Sequence, residues 1–158
     1  MSIHIVLLNP EIHWNTGNIG RTSLATGAQL HLIEPLGFSL DARQVRRAGL
    51  DYWKYVDPVV WPDWETFHEA LPELGEPWFL SAEAPLRIWD APLGDPEDLV
   101  LIFGRESVGL PHELRERYRD RLISLPILSP HVRSVNLSSS AAVVLYEALR
   151  QRRGRTGL

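Results

Sequence analysis

The sequence predicts an α/β fold, in which a mostly parallel β-sheet carries helices on both faces. Short apolar runs typical of strands buried on both faces recur along the chain, the clearest being Ile3–Leu8 and Leu99–Phe103. Segments with helix start and stop signals lie between such runs, and this alternation favours a parallel sheet between helical layers. We find no repeat and no long linker, so we expect one domain over residues 1–158.

The elements are expected in the following order. After the first strand, residues 9–16 form a loop and residues 17–25 a helix that ends at Gly27. The remaining elements are a strand over 30–33, a helix over 42–48 capped by Asp41 and ended by Gly49, a helix over 64–71 capped by Asp63, strands over 78–81, 99–103 and 122–125, and a closing helix after serines 138–140. The proline-rich residues 84–96 are expected as an irregular surface connection.

Composition restricts the kinds of protein that this chain can be. It has no cysteine, which excludes disulfides, thiolate zinc sites and a cysteine nucleophile. The six histidines show no metal-ligand spacing, so no metal is expected. No apolar run approaches a membrane span in length, and the N-terminus lacks a signal peptide's basic region and cleavage site. We therefore expect a cytoplasmic protein with no membrane partner.

Positive charge is concentrated in two clusters, although the net charge is −4. The clusters are Arg43, Arg46, Arg47 and Lys54, and, in an arginine-rich tail over about 150–158, Arg150, Arg152, Arg153 and Arg155. A guanidinium suits phosphate and base contacts better than an ammonium does. Charge alone favours a solvated helix face and a frayed tail, and RNA binding is the alternative.

The first of three polar motifs is NTGNIGRT, residues 15–22, which follows the first strand. Glycines at a loop-to-helix junction expose backbone N–H groups, and the helix dipole favours an anion there. Arg21 could reach the same anion. The motif is neither a Walker loop nor a dinucleotide fingerprint. A purely structural turn explains the glycines nearly as well as an anion site does, but it accounts less well for Asn15 and Arg21.

The second motif is FGRESVGLP, residues 103–111, at the end of an apolar strand. Ligands of open α/β sheets bind outside the carboxyl ends of the strands. Gly104 would let a ligand approach the backbone closely, and Gly109 suits a tight turn. Glu106 could accept hydrogen bonds from a ligand, and its alternative role is a salt bridge with an arginine such as Arg21 or Arg105.

The third motif is HVRSVNLSSSAAVVLYEAL, residues 131–149, a polar turn that runs into an apolar helix. Arg133, Ser134 and Asn136 can bind a phosphate, a sugar or a carboxylate. The serines at 138–140 can cap the helix, because a hydroxyl oxygen accepts a free first-turn N–H. Capping alone explains the serines without any ligand, so a ligand site and a purely structural turn remain open.

Together the three motifs resemble those of the SpoU-like (SPOUT) class of RNA methyltransferases. Residues 31–53, HLIEPLGFSLDARQVRRAGLDYW, are similar to the corresponding stretch of the small TrmL-like tRNA 2′-O-methyltransferases. The resemblance implies a fold with a deep C-terminal trefoil knot, S-adenosylmethionine bound in the knot, and a homodimer whose active site is completed across the interface. The implied reaction is 2′-O-methylation of the wobble pyrimidine, cytidine or uridine 34, in the anticodon stem-loop of tRNA.

The resemblance also implies roles for individual residues. The catalytic set is Arg21, Asn15, Glu106, Ser134 and Asn136. The cofactor-binding set is Leu80, Ser81, Gly104, Glu106, Gly109, Leu125, Ile127, Ser134 and Leu137. The RNA contacts are expected from the basic side chains themselves and not from the resemblance, and they are Arg43, Arg46, Arg47, Lys54, Arg133, Arg150, Arg152 and Arg153. Because a guanidinium keeps its proton in nearly all settings, we expect Arg21 to hold a phosphate and a developing oxyanion rather than to act as a base.

Three alternative functions stay open from the sequence. The nearest is a related enzyme that methylates another tRNA position or ribosomal RNA. A non-catalytic RNA-binding module is the second, and it predicts no affinity for S-adenosylmethionine. The third is a serine hydrolase that uses Ser134 or Ser138 with His131, but the chain has no G-x-S-x-G nucleophile elbow.

Overall fold

The computed structural model describes residues 1–47 and 50–157, apart from the side chains of residues 42, 45, 46 and 156. Two predictions fall outside this part of the chain. They are the helix end at Ala48 and Gly49 and the RNA contact made by the side chain of Arg46. Among the described residues, no helix is both long enough and apolar enough to cross a bilayer.

In the described part of the chain, six strands form one sheet in the order β3-β2-β1-β5-β4-β6. They are β1 Ile3–Leu8, β2 Gln29–Ile33, β3 Val59–Trp61, β4 Glu76–Leu80, β5 Leu99–Phe103 and β6 Leu122–Ile123. All neighbouring strands run parallel, and β5 is buried at every position. The predicted parallel α/β fold is confirmed. The trefoil knot stays a prediction, because strand order alone does not define a knot.

Helices cover both faces of this sheet. They are α1 His13–Thr26, α2 Ala42–Arg47, α3 Trp53–Val56, α4 Trp64–Leu74, α5 His112–Arg117 and α6 Leu137–Thr156. Alternate residues of β1 belong to two separate cores, as the pleat of a strand requires. Ile5 packs in one core with Ile19 of α1 and Val144 of α6, and Val6 packs in the other with Phe67 of α4.

The prediction for the first helix is wrong at its N-terminal end. Helix α1 begins at His13, so the second half of the expected loop over residues 9–16 is helical. Gly17 and Gly20 therefore lie inside the helix and do not form an anion-binding junction. A Cβ at Gly17 would lie 3.0 Å from the Leu50 side chain, and one at Gly20 would lie 2.7 Å from the Trp53 ring. These two glycines serve close packing.

The cap of the last helix also differs from the prediction. Asn136 caps α6, because its Oδ1 accepts hydrogen bonds from the backbone N–H groups of Ser138 (2.9 Å) and Ser139 (3.2 Å). The serines at 138–140 therefore follow Leu137 in the first turn of the helix and are not its caps. The expected cap of α4 is confirmed, since Asp63 accepts from Thr66 N at 2.7 Å.

Short elements and one buried connection were not predicted. Strand β3 has three residues between Pro58 and Pro62, too few to show a period. Helices α3 and α5 are also short, with four and six residues. Residues 84–96 are irregular, as expected, but they are not purely a surface connection. Ala84, Ile88 and Leu93 from this segment are buried in or near the core, with Leu93 fully enclosed.

Candidate active site

A cavity of about 610 Å³ opens at the carboxyl edge of the sheet, where β4 and β5 end. Its walls come from residues 104–109 after β5, from residues 133–140 at the start of α6, and from the first turn of α1. The three motifs of the sequence therefore converge on one space, which we call the active-site cavity. Open α/β sheets bind their ligands at this edge.

Most residues expected at the cofactor line this cavity. They are Leu80, Gly104, Glu106, Gly109, Leu125, Ile127, Ser134 and Leu137. Of the expected catalytic residues, those that line it are Asn15, Glu106, Ser134 and Asn136. Two expected residues lie elsewhere. Ser81 donates its backbone N–H to Ile123 O at 2.9 Å and so continues the pairing of β4 with β6, and Arg21 lies on another face of α1.

Some lining residues were not found from the sequence. Ala82 and Glu83 come directly after β4, and Ile12 precedes α1. For Ala82 and Glu83 a signal existed, because residues just beyond a parallel strand lie at the ligand-binding edge. For Ile12 no signal existed, since no capping side chain marks the start of this helix.

The loop after β5 is a tight turn built on two glycines. Gly109 has a φ of +70°, which favours glycine, and its N–H donates to Arg105 O at 2.8 Å. A Cβ at Gly104 would lie 2.2 Å from the carbonyl carbon of Gly109. The expected turn at Gly109 is confirmed. Gly104 is needed for the approach of the loop's own backbone. It also lines the active-site cavity, and the close approach of a ligand to it stays a prediction.

Glu106 joins this loop to the beginning of α1. Its Oε2 accepts hydrogen bonds from the N–H groups of Glu11 (2.7 Å) and Ile12 (3.2 Å), donors that the helix itself leaves free. A carboxylate at this position also interacts favourably with the helix dipole. The alternative role of Glu106, an ion pair with an arginine, does not occur among the described residues. The other carboxylate oxygen, Glu106 Oε1, is buried and has no hydrogen-bond partner in the part of the chain that the structure describes.

Glu11 makes the reciprocal contact from the helix side. Its Oε1 accepts from Ser107 Oγ (2.6 Å) and from Ser107 N (3.0 Å). These hydrogen bonds hold the pKa of the Glu11 carboxyl below its usual value. Glu11, Glu106 and Ser107 thus form a brace of four hydrogen bonds between two cavity walls.

Asn15 and Asn136 meet across the cavity. Asn136 Nδ2 donates to Asn15 Oδ1 at 3.0 Å, while Asn136 Oδ1 caps α6. Asn15 is only 5% exposed, so its side chain is held in one orientation by burial and by this bond. The arrangement uses the Asn15 oxygen and leaves its amide nitrogen available to donate to a ligand.

Arg21 is separated from the other expected catalytic residues within one chain. It lies six residues after Asn15, roughly 9 Å along the helix and on a different face. Its guanidinium carbon lies 4.6 Å from the centre of the Tyr52 ring, and the Tyr52 hydroxyl donates to Gly17 O at 2.9 Å. The side chain of Arg21 is exposed on the surface of α1.

The basic residues expected to bind RNA do not share one environment. Arg43, Arg47, Lys54, Arg133, Arg150 and Arg153 are exposed. Arg152 is wrongly assigned: it is 1% exposed, and its guanidinium donates to Ser2 O (3.1 Å) and Pro96 O (2.8 Å). Arg155 similarly donates to the carbonyl oxygens of Gly94 and Asp95. The tail of α6 is therefore bound to the body of the protein and is not frayed.

No cluster of three or more histidine, aspartate or glutamate side chains suited to a metal ion occurs among the described residues. The cavity offers amide, hydroxyl, carboxylate and apolar groups instead. Such a lining can orient a small organic ligand and a second substrate by hydrogen bonds and apolar contact.

The sheet and its cavity define an α/β protein with a ligand-sized cavity at the carboxyl ends of parallel strands. The chain belongs to the SpoU rRNA methylase family, whose model matches residues 2–146. It is thus a methyltransferase by family. A relative in Methylovorus glucosotrophus, a tRNA (cytidine(34)-2′-O)-methyltransferase, is 46% identical over 149 residues, which cover 93% of this chain and 94% of that protein.

Solved structures agree with this membership. One, described as "Structural insights into the 2-OH methylation of C/U34 on tRNA", is 42% identical, covers 98% of each chain and has a TM-score of 0.85. The SpoU methyltransferase AviRb from Streptomyces viridochromogenes in complex with AdoMet has a TM-score of 0.78 at 23% identity, over 96% of this chain and 58% of that one. At that identity the likeness concerns the fold alone.

Proposed function

We propose that this protein transfers a methyl group from S-adenosylmethionine to the ribose 2′-hydroxyl of the wobble pyrimidine of tRNA, cytidine or uridine 34. The observation that carries the proposal is the convergence of Asn15, Glu106, Ser134 and Asn136 on one cavity at the carboxyl edge of the sheet. The wobble position is supported by the names of two relatives that are 42% and 46% identical over nearly the whole chain. A protein that works on tRNA in this way acts in the cytoplasm.

The active-site cavity fits S-adenosylmethionine by size and chemistry. Its volume of about 610 Å³ lies within the roughly 300–1,000 Å³ of small-molecule sites. Leu80, Leu125, Ile127 and Leu137 would contact the apolar parts of the cofactor, and the buried Glu106 Oε1 would accept a hydrogen bond from it. When bound, S-adenosylmethionine supplies a methyl group on a positively charged sulfur, already activated for transfer.

The protein's own groups must then orient the ribose and handle the proton of its hydroxyl, because a ribose hydroxyl is a poor nucleophile. Asn15, fixed by Asn136, would donate its amide N–H to the ribose. Ser134, at the rim of the cavity, would contact the cofactor or the nucleotide. Glu106 would contact the cofactor. Through its hydrogen bond with Glu11 it would also keep the loop after β5 at a fixed distance from α1.

A homodimer would complete the site. Arg21 lies outside the cavity of its own chain, and exposed apolar side chains lie nearby on the two helices that pack together, Leu24 on α1 and Val143 and Tyr146 on α6. Burial of this patch against a second copy would remove apolar surface from water. We propose that Arg21 of each subunit then reaches the site of its partner, where it holds a phosphate and stabilises the developing oxyanion.

The RNA would be bound by local positive charge on an acidic protein. Arg43 and Lys54 are exposed on α2 and α3, beside α1, and Arg133 lies at the rim of the active-site cavity. We propose that these groups bind phosphates of the anticodon stem-loop. Because phosphate contacts would carry part of the affinity, the affinity falls as salt concentration rises, with a slope set by the number of these contacts.

The test is methyl transfer from S-adenosylmethionine to unmodified tRNA transcripts, followed by mass spectrometry of the digested RNA. We expect a single 2′-O-methyl group, at position 34. A matched pair of variants locates the site: Ser134→Ala should lower kcat/KM at least tenfold, and Ser129→Ala, in the same segment but outside the cavity, should change it less than twofold.

The family description favours one second candidate, because it names ribosomal RNA. A methyl group on ribosomal RNA or at another tRNA position in the same experiment would replace the wobble assignment with that candidate. A protein that binds RNA but has no measurable affinity for S-adenosylmethionine by calorimetry would be an RNA-binding module without catalytic activity.

A further inference from the structure

A second cavity, of about 200 Å³, lies against another side of α1, and we call it the side cavity. Trp14 and Thr16 line it, while Asn15 between them lines the active-site cavity. The two spaces are therefore separated by about the width of a helix, roughly 10 Å. None of the five residues expected to be catalytic lines the side cavity.

Aromatic rings form part of its wall. The rings of His13 and Trp14 lie 4.6 Å apart, and those of His13 and Phe38 lie 6.5 Å apart. Single-stranded RNA is commonly recognised by stacking of splayed-out bases on rings of this kind. The volume is below the roughly 300–1,000 Å³ of sites that enclose a whole small molecule, so the space suits one planar ring.

One buried polar group in this wall has no partner. Thr16 is 1% exposed, and its Oγ1 makes no hydrogen bond among the described residues. A hydroxyl buried without a partner is costly, and native proteins usually pair it with protein, water or a ligand. Gln44, exposed at the edge of the cavity, adds an amide that can both donate and accept. These are the groups needed to recognise the edge of a base.

The charge at the entrance fits a nucleic acid. Arg47 lines the cavity, Arg43 lies one helical turn before it on α2, and both side chains are exposed. Neither forms an ion pair among the described residues. A phosphate next to an inserted base would therefore meet guanidinium groups that no carboxylate already holds.

We propose that the side cavity binds a base of the RNA substrate, a nucleotide or a few nucleotides away from the ribose that is methylated. This inference rests on the proposed function for the identity of the RNA. Insertion of the base would fix the register of the strand across α1, so that the correct ribose reaches Asn15. The side cavity is then a specificity site, and the groups that contact the base are Phe38, Thr16 and Gln44.

The test combines RNA chemistry with protein variants. A series of anticodon stem-loops, each with one abasic nucleotide near position 34, is assayed for KM, kcat and equilibrium affinity by fluorescence anisotropy. We expect one abasic position to raise KM about tenfold for the unmodified protein, since stacking of a base is worth this much. Phe38→Ala should raise KM about tenfold for the intact RNA and make the protein insensitive to that abasic position.

Two variants distinguish recognition from folding. Thr16→Val keeps the shape of the side chain and removes the hydroxyl, and Gln44→Ala changes an exposed residue. Both should raise KM severalfold, with unchanged affinity for S-adenosylmethionine. Trp89→Ala, which removes an exposed aromatic ring elsewhere, should leave KM unchanged. If no abasic position matters, or if Thr16→Val and Gln44→Ala bind the stem-loop as the unmodified protein does, the base site is wrong.

The remaining outcomes separate this inference from the proposed function. Base-dependent binding without methylation at position 34 supports the side cavity and contradicts the proposed reaction. Normal methylation with affinity that is equal for every abasic RNA contradicts the side cavity alone. A change from dimer to monomer in Phe38→Ala, measured by analytical ultracentrifugation, would assign the cavity to a subunit interface and also overturn the inference.

Discussion

The buried His31 lies in a chain of hydrogen bonds that crosses strands β3, β2 and β1 and ends at the partly exposed Asp98. Trp61 Nε1 donates to His31 Nδ1 (3.0 Å), His31 Nε2 lies 2.9 Å from His4 Nδ1, His4 Nε2 lies 3.0 Å from Ser2 Oγ, and Ser2 Oγ donates to Asp98 (2.7 Å). An indole N–H only donates and a carboxylate only accepts, so the direction of every bond is fixed. Both histidines must be neutral for all of these hydrogen bonds to form.

This arrangement predicts that the protein loses stability in mild acid. Burial, with a smaller contribution from His4, lowers the pKa of His31 from 6.5 to about 4. Between these values the unfolded chain binds the proton and the folded protein does not, so the free energy of unfolding falls as the pH falls. At 1.36 kcal/mol per pKa unit, the loss attributable to His31 is about 2 kcal/mol between pH 7 and pH 5, and about 3 kcal/mol by pH 4.

The variant that tests this is His31→Gln, because glutamine can accept from Trp61 and donate to His4 but does not titrate. We expect urea unfolding to give similar free energies for the two proteins at pH 8, apart from a constant packing difference. Between pH 7 and pH 5 the unmodified protein should lose about 2 kcal/mol more than the variant. Parallel pH profiles for the two proteins would refute the assignment of the titration to His31.

Three further outcomes follow from the site and the packing. Arg21→Ala should abolish methyl transfer and leave the calorimetric affinity for S-adenosylmethionine nearly unchanged; loss of that affinity would show that Arg21 has another role. Arg152→Ala should lower the free energy of unfolding by about 2–4 kcal/mol, because it removes a buried network, whereas Arg153→Ala should leave stability unchanged. A larger loss of stability in Arg153→Ala than in Arg152→Ala would contradict the buried position of Arg152. Gly20→Ala should destabilise the protein by about 1–3 kcal/mol despite the better helix propensity of alanine, because the new Cβ would lie 2.7 Å from the Trp53 ring; a raised melting temperature would show that the ring moves aside freely.

The fold was predictable because the long elements carry their own signals. Strands β1 and β5 are apolar runs, and Asp63 caps its helix through a contact three residues away. The start of α1 was not predictable in this way, since its free N–H groups are satisfied by Glu106, which is 95 residues from Glu11 in the sequence. Local patterns do not contain a cap that comes from another part of the chain.

The candidate site was predictable in its membership but not in its geometry. Sequence motifs correctly indicated that Asn15, Glu106 and Asn136 belong to one place. The reason given for the glycines of the first motif was wrong, and the contact of Glu106 with the start of α1 was not expected. The charged tail shows the same limit. Arg152 and Arg153 are neighbours with the same side chain, and only three-dimensional packing separates the buried one from the exposed one.

The brace formed by Glu11, Glu106 and Ser107 has a consequence for protein engineering. Each side of it supplies both a carboxylate and the N–H groups that the other carboxylate needs. A loop grafted from a relative at residues 104–109 would remove the hydrogen bond from the Ser107 hydroxyl to Glu11 unless the graft also carries a hydroxyl residue at 107. Residues 11, 106 and 107 should therefore be exchanged together, and chimeras that keep all three should hold the cavity-facing end of α1 in its native position.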